Sequence, residues 1–182
     1  DDVVLIRDQA DRCRDILNSM GSAGKDDLHM QQALLAEVIR EAAEPHSQRG
    51  ISIETKIADN HKGGIDEPHI IRRPEIIHGL RNMIQNAVDF ATSKVWVESS
   101  WTKDSVKITI LDDGQGYPPN LLGRLGDPFL GTKISKENRH GNEGMGLGLF
   151  IAKTLLERTG AKISFANGNK NQILKKSKTE PN

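Results

Sequence analysis

GNEGMGLGLF, residues 141–150, sets glycine at positions 141, 144, 146 and 148 and then runs into a helix-like stretch. Glycine lets main-chain N–H groups approach an anion, and a helix N-terminus favours negative charge, so the stretch points to a phosphate. Neither common glycine fingerprint fits. A P-loop read through Lys153 and Thr154 requires glycine where Leu147 and Ala152 stand. A dinucleotide turn requires GxGxxG directly after a strand, whereas Gly144, Gly146 and Gly148 are spaced GxGxG after a polar run. A flexible loop ending at a helix is the plain alternative, and the rest of the chain decides between the two.

Downstream, the helix is expected to run from about 145 to 159, with Gly160 as its stop and AKISFA, 161–166, as a final strand. Upstream lies a polar, Gly-rich stretch from about 126 to 143, preceded by two strands, VWVESSW at 95–101 and VKITIL at 106–111, with a short turn between them. Before those, Pro74 sits at a first helical position, and Ile76, Ile77, Leu80, Met83, Ile84, Ala87, Val88 and Ala91 follow at helical spacing. Gly63-Gly64 marks a turn, ISIETKI at 51–57 alternates as a strand, and residues 31–45 read as a helix burying Leu34, Leu35, Val38, Ile39 and Ala42. At the start of the chain Val3, Ile6, Ala10, Cys13, Leu17 and Met20 form a narrow apolar seam that wants a partner helix, and Gly21–Asp27 reads as a linker. Helices with hairpin-like strands, rather than strict βαβ alternation, imply an α+β sandwich: a mixed sheet covered on one face by helices.

Composition narrows the function. Lys plus Arg equal Asp plus Glu at 25 each, so no net field favours nucleic acid or an anionic membrane surface. The apolar fraction of 36% supports one core, the apolar runs are too short to span a bilayer, and a single cysteine forms no internal disulfide. A soluble protein of a reducing compartment, and hence a cytoplasmic location, is expected. The chain opens on Asp1 rather than Met, which reads as an excised piece.

Three further segments carry chemistry. His78, Asn82 and Asn86 fall at i, i+4 and i+8 and share one helical face. Asn is a mediocre helix former, so two in register read either as an ordinary solvated face or as amide oxygens turned toward a hard cation such as Mg²⁺. Asp112-Asp113-Gly114-Gln115-Gly116 follows directly on a strand. It reads as a plain β-turn, or as a carboxylate that accepts from an exocyclic amine while a flat ring passes over bare backbone. Phe129 precedes Lys133 in a Gly-bearing loop, where a surface Lys is ordinarily just solvated.

In this order, an Asn pair on a helix, DxGxG after a strand, a Phe with a nearby Lys and GxGxGL at a helix start, the sequence resembles the ATP-binding domain of sensor histidine kinases, the Bergerat fold shared with gyrase-type topoisomerases and heat-shock ATPase chaperones. The resemblance covers about residues 27–167, and the catalytic ATP-binding domain is expected over 27–168. It implies that Asn82 and Asn86 hold Mg²⁺ and the phosphates of ATP, that Phe90 borders the nucleotide and that Asp112 reads the adenine amine with Gly114 and Gly116 beside the base. It further implies that Lys133 reaches the terminal phosphates and that Gly144, Gly146, Leu147 and Gly148 line them below a lid of roughly residues 130–143. Phosphoryl transfer needs charge neutralisation and in-line positioning more than covalent help, and this set of groups is adequate for it.

Four departures qualify the resemblance. Asp89 stands directly before Phe90, where kinases of this family often carry a Lys near the aromatic. His78 occupies the place where gyrase and chaperone relatives carry a water-activating Glu, which favours a kinase over a hydrolase. Residues 169–182 form a basic, polar tail, expected to be disordered, in place of another strand. No His among the six has the acidic neighbour of a phosphoacceptor. Residues 1–22 resemble the second helix of a dimerisation hairpin whose first helix bears that acceptor, so the implied partners are a second copy of the chain, the acceptor helix and a cognate response regulator. QADRCRDIL, with the NMIQNAVDF and GDPFLGTK wordings, resembles the redox-responsive RegB/PrrB sensor kinases of photosynthetic bacteria. In those kinases, which are membrane-anchored, a cysteine in this segment is a redox switch, and Cys13 takes that place here. An anti-sigma-factor-type serine kinase and a nucleotide-binding or dimerisation module without transfer activity are the alternatives.

Overall fold

The structure, a computed structural model, describes residues 32–47, 49–57, 65–128 and 147–168. The seam helix with Cys13, the Gly63-Gly64 turn, Phe129, Lys133, the lid, Gly144, Gly146 and the 169–182 tail lie outside these residues.

Strand β1 (Gln32–Leu34) leads directly into helix α1 (Leu35–Ala43), which closes in a 3-10 turn over Glu44–His46. The helix therefore begins later than the apolar pattern predicts, because Gln32–Leu34 pair antiparallel with β3 (His69–Ile71). The chain then caps α1 from a distance. Leu35 N–H donates to the Pro68 carbonyl at 3.1 Å, and Ala36 N–H donates to Glu67 Oε1 at 2.6 Å. A carboxylate at the helix start also suits the positive end of the helix dipole. Strand β3 escapes the sequence reading because three residues between Pro68 and Pro74 show no period.

Helix α2 (Pro74–Phe90) opens on Pro74, as its missing N–H predicts, and buries Ile77, Leu80, Ile84, Ala87 and Val88. Strands β2 (Ser52–Ile57) and β4 (Lys94–Trp101) pair in parallel from Ser52↔Lys94 to Ile57↔Ser99. Strand β5 (Val106–Asp112) pairs antiparallel with β4 from Val95↔Asp112 to Trp101↔Val106. The sheet is thus mixed, in the order β2-β4-β5, with α2 inside the crossover that joins its two parallel strands. Val95, Val97 and Trp101 meet Leu35, Val38, Ile39 and Ala42 of α1 and the buried face of α2 in one core. This is the α+β arrangement expected, with helices laid on the sheet.

After a short helix α3 (Pro119–Leu122), helix α4 (Gly148–Arg158) packs along α2. The approach is close. A Cβ at Gly79 would lie 2.5 Å from Leu156 Cγ, so only glycine admits that leucine. Gly160, at φ +89°, ends the helix as expected. The predicted strand at 161–166 is not formed. Its residues do alternate, with Ile163 and Phe165 partly covered and Lys162, Ser164 and Ala166 exposed. Period two reports which side chains turn inward; it does not supply a backbone partner, and none of the described strands pairs with this segment.

Candidate functional site

Asn82, Asn86 and Phe90 lie at successive turns of α2, all half-buried. The two amides are oriented differently. Asn82 Nδ2 donates to the His78 carbonyl one turn back at 3.0 Å, a bond within its own helix. Asn86 Nδ2 donates to the Tyr117 hydroxyl at 2.8 Å, in the loop beyond β5. Both donor ends are thereby engaged, and each amide keeps its oxygen as the end able to meet a cation. The Tyr117 ring also rests against Phe90, with centroids 5.3 Å apart and planes tilted by 53°.

The two carboxylates at the end of β5 do different work. Asp112 accepts the Gly114 N–H at 2.9 Å. Burial raises its pKa, and this outweighs the lowering by the Gly114 bond, while the neighbouring charge of Asp113 adds to the rise. Asp113 instead accepts from the backbone N–H groups of Thr92, Ser93 and Lys94 and from the Ser93 hydroxyl, at 2.6 to 3.1 Å. Burial pushes its pKa up, but the bonds from Ser93, Lys94 and Thr92 together pull it below the ordinary carboxylate value. Asp113 therefore ties the end of β5 to the turn between α2 and β4. Asp112, a half-buried carboxyl with one backbone donor among the described residues, keeps capacity to accept further hydrogen bonds.

Gly114 is set so tightly that a Cβ there would strike the Phe90 carbonyl and stand 2.8 Å from Asp112 Oδ1. Gly116 takes φ +75°, and the space a Cβ would need is held by the Asn167 side-chain oxygen at 2.8 Å. Asn167 in turn accepts from Tyr117 N–H at 2.8 Å and donates to the Tyr117 carbonyl at 2.7 Å. Contacts thus join Phe90, Asp112 and Gly114 directly, and join Asn86 to them through Tyr117. Leu147 lies at the N-cap of α4 and accepts from Ile151 N–H at 2.9 Å. Gly148 is the first residue of that helix, and nothing stands within 4 Å of where its Cβ would be.

Asp89, the residue in place of the family's lysine, faces away from this constellation. It accepts from Arg49 Nη1 at 2.9 Å, in the turn leading to β2. His46 packs beside this pair, 5% exposed, with Nε2 lacking a partner among the described residues. Burial lowers its pKa, as do the charges of Arg49 and, more weakly, Arg81, against the raising influence of the Arg81 backbone and of Asp89.

Sequence reasoning missed Tyr117, Asn167, Asp113 and Gly79. Tyr117 carries one usable signal, for it is the sole tyrosine and directly follows the second glycine of DxGxG. Asp113 and Asn167 bond, and Gly79 packs against Leu156, across separations that no local pattern encodes. For a metal, the described residues offer no cluster of three or more His, Cys, Asp or Glu. Two amide oxygens one helical turn apart suit a cation that keeps waters and takes other oxygens from a phosphate, so Asn82 and Asn86 fit Mg²⁺ in that manner. No described helix is long and apolar enough to cross a membrane.

The chain is 62% identical over 170 residues to sensor histidine kinase RegB of Cereibacter sphaeroides, a match covering 92% of this chain and 37% of that protein. It thus spans little more than a third of that relative's length. Among solved structures it resembles the catalytic domain of histidine kinase ThkA, with a TM-score of 0.59 and 21% identity over 78% of this chain and 89% of that one. Full-length ShkA in complex with AMPPNP matches with a TM-score of 0.59 and 22% identity, over 87% of this chain and 33% of that one. At such identities the likeness to these two shows the fold alone. Residues 71–180, more than half of the sequence, match the family of histidine kinase-, DNA gyrase B- and HSP90-like ATPases, and the chain belongs to that family.

Proposed function

We propose that this chain is the ATP-binding catalytic domain of a sensor histidine kinase that delivers the ATP γ-phosphoryl group to a histidine on a dimerisation helix outside it. The observation that carries the reading is Asp112, half-buried at the end of β5 beside a glycine whose backbone is pressed onto the Phe90 carbonyl, with Asn86 linked to the same spot. A base end and a metal end then share one site. Asp112 accepts from the adenine amine, Gly114 and Gly116 leave the ring room, and Phe90 borders it. Asn82 and Asn86 hold Mg²⁺ and the phosphates, and Lys133, Gly144, Gly146, Leu147 and Gly148 close the phosphate end.

Bound Mg²⁺ would neutralise charge on the phosphate oxygens. In the transfer, an imidazole nitrogen bonds to the γ-phosphorus as the bond to the bridging oxygen breaks, and ADP leaves. The 62% identity to a sensor histidine kinase supports a histidine as acceptor; a homodimeric, membrane-anchored parent with this domain on the cytoplasmic side and a cognate response regulator as the next phosphate carrier belong to the same proposal. Residues 1–22 supply part of the dimerisation hairpin, residues 27–168 the catalytic unit, and Cys13 a redox switch on the hairpin.

The test mixes the chain with ATP, Mg²⁺ and a separately made hairpin bearing the acceptor. Acid-labile, base-stable phosphate on the hairpin supports the reading; acid-stable phosphate points to a serine kinase, and nucleotide binding without transfer to a binding module. Oxidant should lower activity of the intact kinase, and an unchanged response in Cys13→Ser would remove the switch.

A further inference from the structure

The geometry points to Tyr117 as the positioning residue that turns the Asn86 amide oxygen toward the metal of a bound nucleotide, and to Asn167 as the residue that holds Tyr117 in place. The inference rests on the nucleotide-site reading above and deepens it. An asparagine can offer a cation either an oxygen or an NH₂ group, and only the oxygen attracts it. At Asn82 the choice is made within α2, since its NH₂ is taken by the His78 carbonyl at 3.0 Å. Asn86 has its NH₂ held at 2.8 Å by the Tyr117 hydroxyl, 31 residues away in sequence. Its orientation is therefore set by the loop after β5 and not by its own helix.

Tyr117 is in turn fixed from two sides. Its ring rests on Phe90 at a centroid distance of 5.3 Å. Its backbone N–H and carbonyl are both clasped by the Asn167 side chain, at 2.8 and 2.7 Å. A hydrogen-bonded line thus runs from the segment after α4, through the Tyr117 backbone and phenol, to Asn86. Tyr117→Phe deletes the hydroxyl alone and leaves the ring on Phe90 and the backbone clasp in place.

The test titrates the full chain calorimetrically with AMPPNP, with Mg²⁺ and with EDTA, and takes the ratio of the two affinities as the gain due to metal. In Tyr117→Phe this gain should shrink about five- to tenfold, the worth of one hydrogen bond. Asn167→Ala should shrink it in the same direction. Because Tyr117 is the sole tyrosine, 3-fluorotyrosine gives a single ¹⁹F resonance, which Asn86→Ala and Asn167→Ala should each displace in metal-free protein. A Tyr117→Phe loss equal with and without Mg²⁺, or a gain equal to wild type, overturns the inference while leaving the nucleotide site standing. A wild-type chain whose AMPPNP affinity does not respond to Mg²⁺ overturns the inference alone, and one that binds no AMPPNP at all overturns both.

Discussion

Replacing the adjacent carboxylates one at a time should separate ligand recognition from folding. Asp112→Asn keeps a side-chain oxygen for the Gly114 N–H and removes a charge that burial disfavours, so the free domain should be as stable as wild type or slightly more so. Its nucleotide affinity should fall, because a charge-assisted bond worth about 1.5–3 kcal/mol is lost, which is roughly 10- to 150-fold. Asp113→Ala should do the reverse. It strips the acceptor from three backbone N–H groups and the Ser93 hydroxyl, at a site partly open to water, and should cost about 2 kcal/mol of folding stability.

The pH dependences should have opposite signs. Asp112 has a raised pKa in the folded state, so the native chain takes its proton first and Asp112 favours folding more as pH falls through that window. Asp113 has a lowered pKa, so its stabilisation is present above the ordinary Asp value and is lost as pH falls toward the folded value. Urea unfolding followed by fluorescence of the buried Trp96 and Trp101, with calorimetry of AMPPNP binding, reads both effects. If Asp112→Asn unfolds as readily as Asp113→Ala while still binding AMPPNP at wild-type affinity, the division of labour is wrong.

Gly79→Ala should cost about 1–3 kcal/mol despite the better helix propensity of alanine, because its Cβ would lie 2.5 Å from Leu156 Cγ, and Leu156→Ala in the same chain should recover part of the loss in a double-mutant cycle. Burial and the charges of Arg49 and Arg81 hold the His46 pKa below the ordinary imidazole value, against the raising influence of Asp89, so the unfolded chain takes its proton first as pH falls through that value. Stability should decline there, and His46→Leu should flatten that part of the pH profile of urea unfolding.

Helix α2 is legible in the sequence because its apolar residues repeat at helical spacing and Pro74 marks its start, and the same period places Asn82 and Asn86 together. DxGxG is legible at Asp112 and Gly114 because a strand with clear alternation delivers it. The β1–β3 pair is not, since two three-residue strands carry no period and meet across the whole of α1 and β2. Asp113 is hard to tell from Asp112 by sequence, for the bonds that make one a clasp and pass the other by reach back about 20 residues. Asn167 and Tyr117 are 50 residues apart, and only their meeting gives either a role. At 161–166 the alternation concerns side chains alone and carries no information about a backbone partner.

The parallel pairing of Ser52 with Lys94 encloses all of α2 between the strands it joins. A hairpin zips from its turn, but this pairing must close a long stretch of chain before any ladder bond forms, so it belongs to the slow part of folding. The helix that bears Asn82 and Asn86 should be seated only when that closure is complete. Nucleotide competence should accordingly arrive late in refolding, with a fluorescent ATP analogue gaining signal after the collapse that buries Trp101; simultaneous signals would mean that the helix docks before its crossover closes. A newly made chain would then acquire its ligand as a mark of finished assembly.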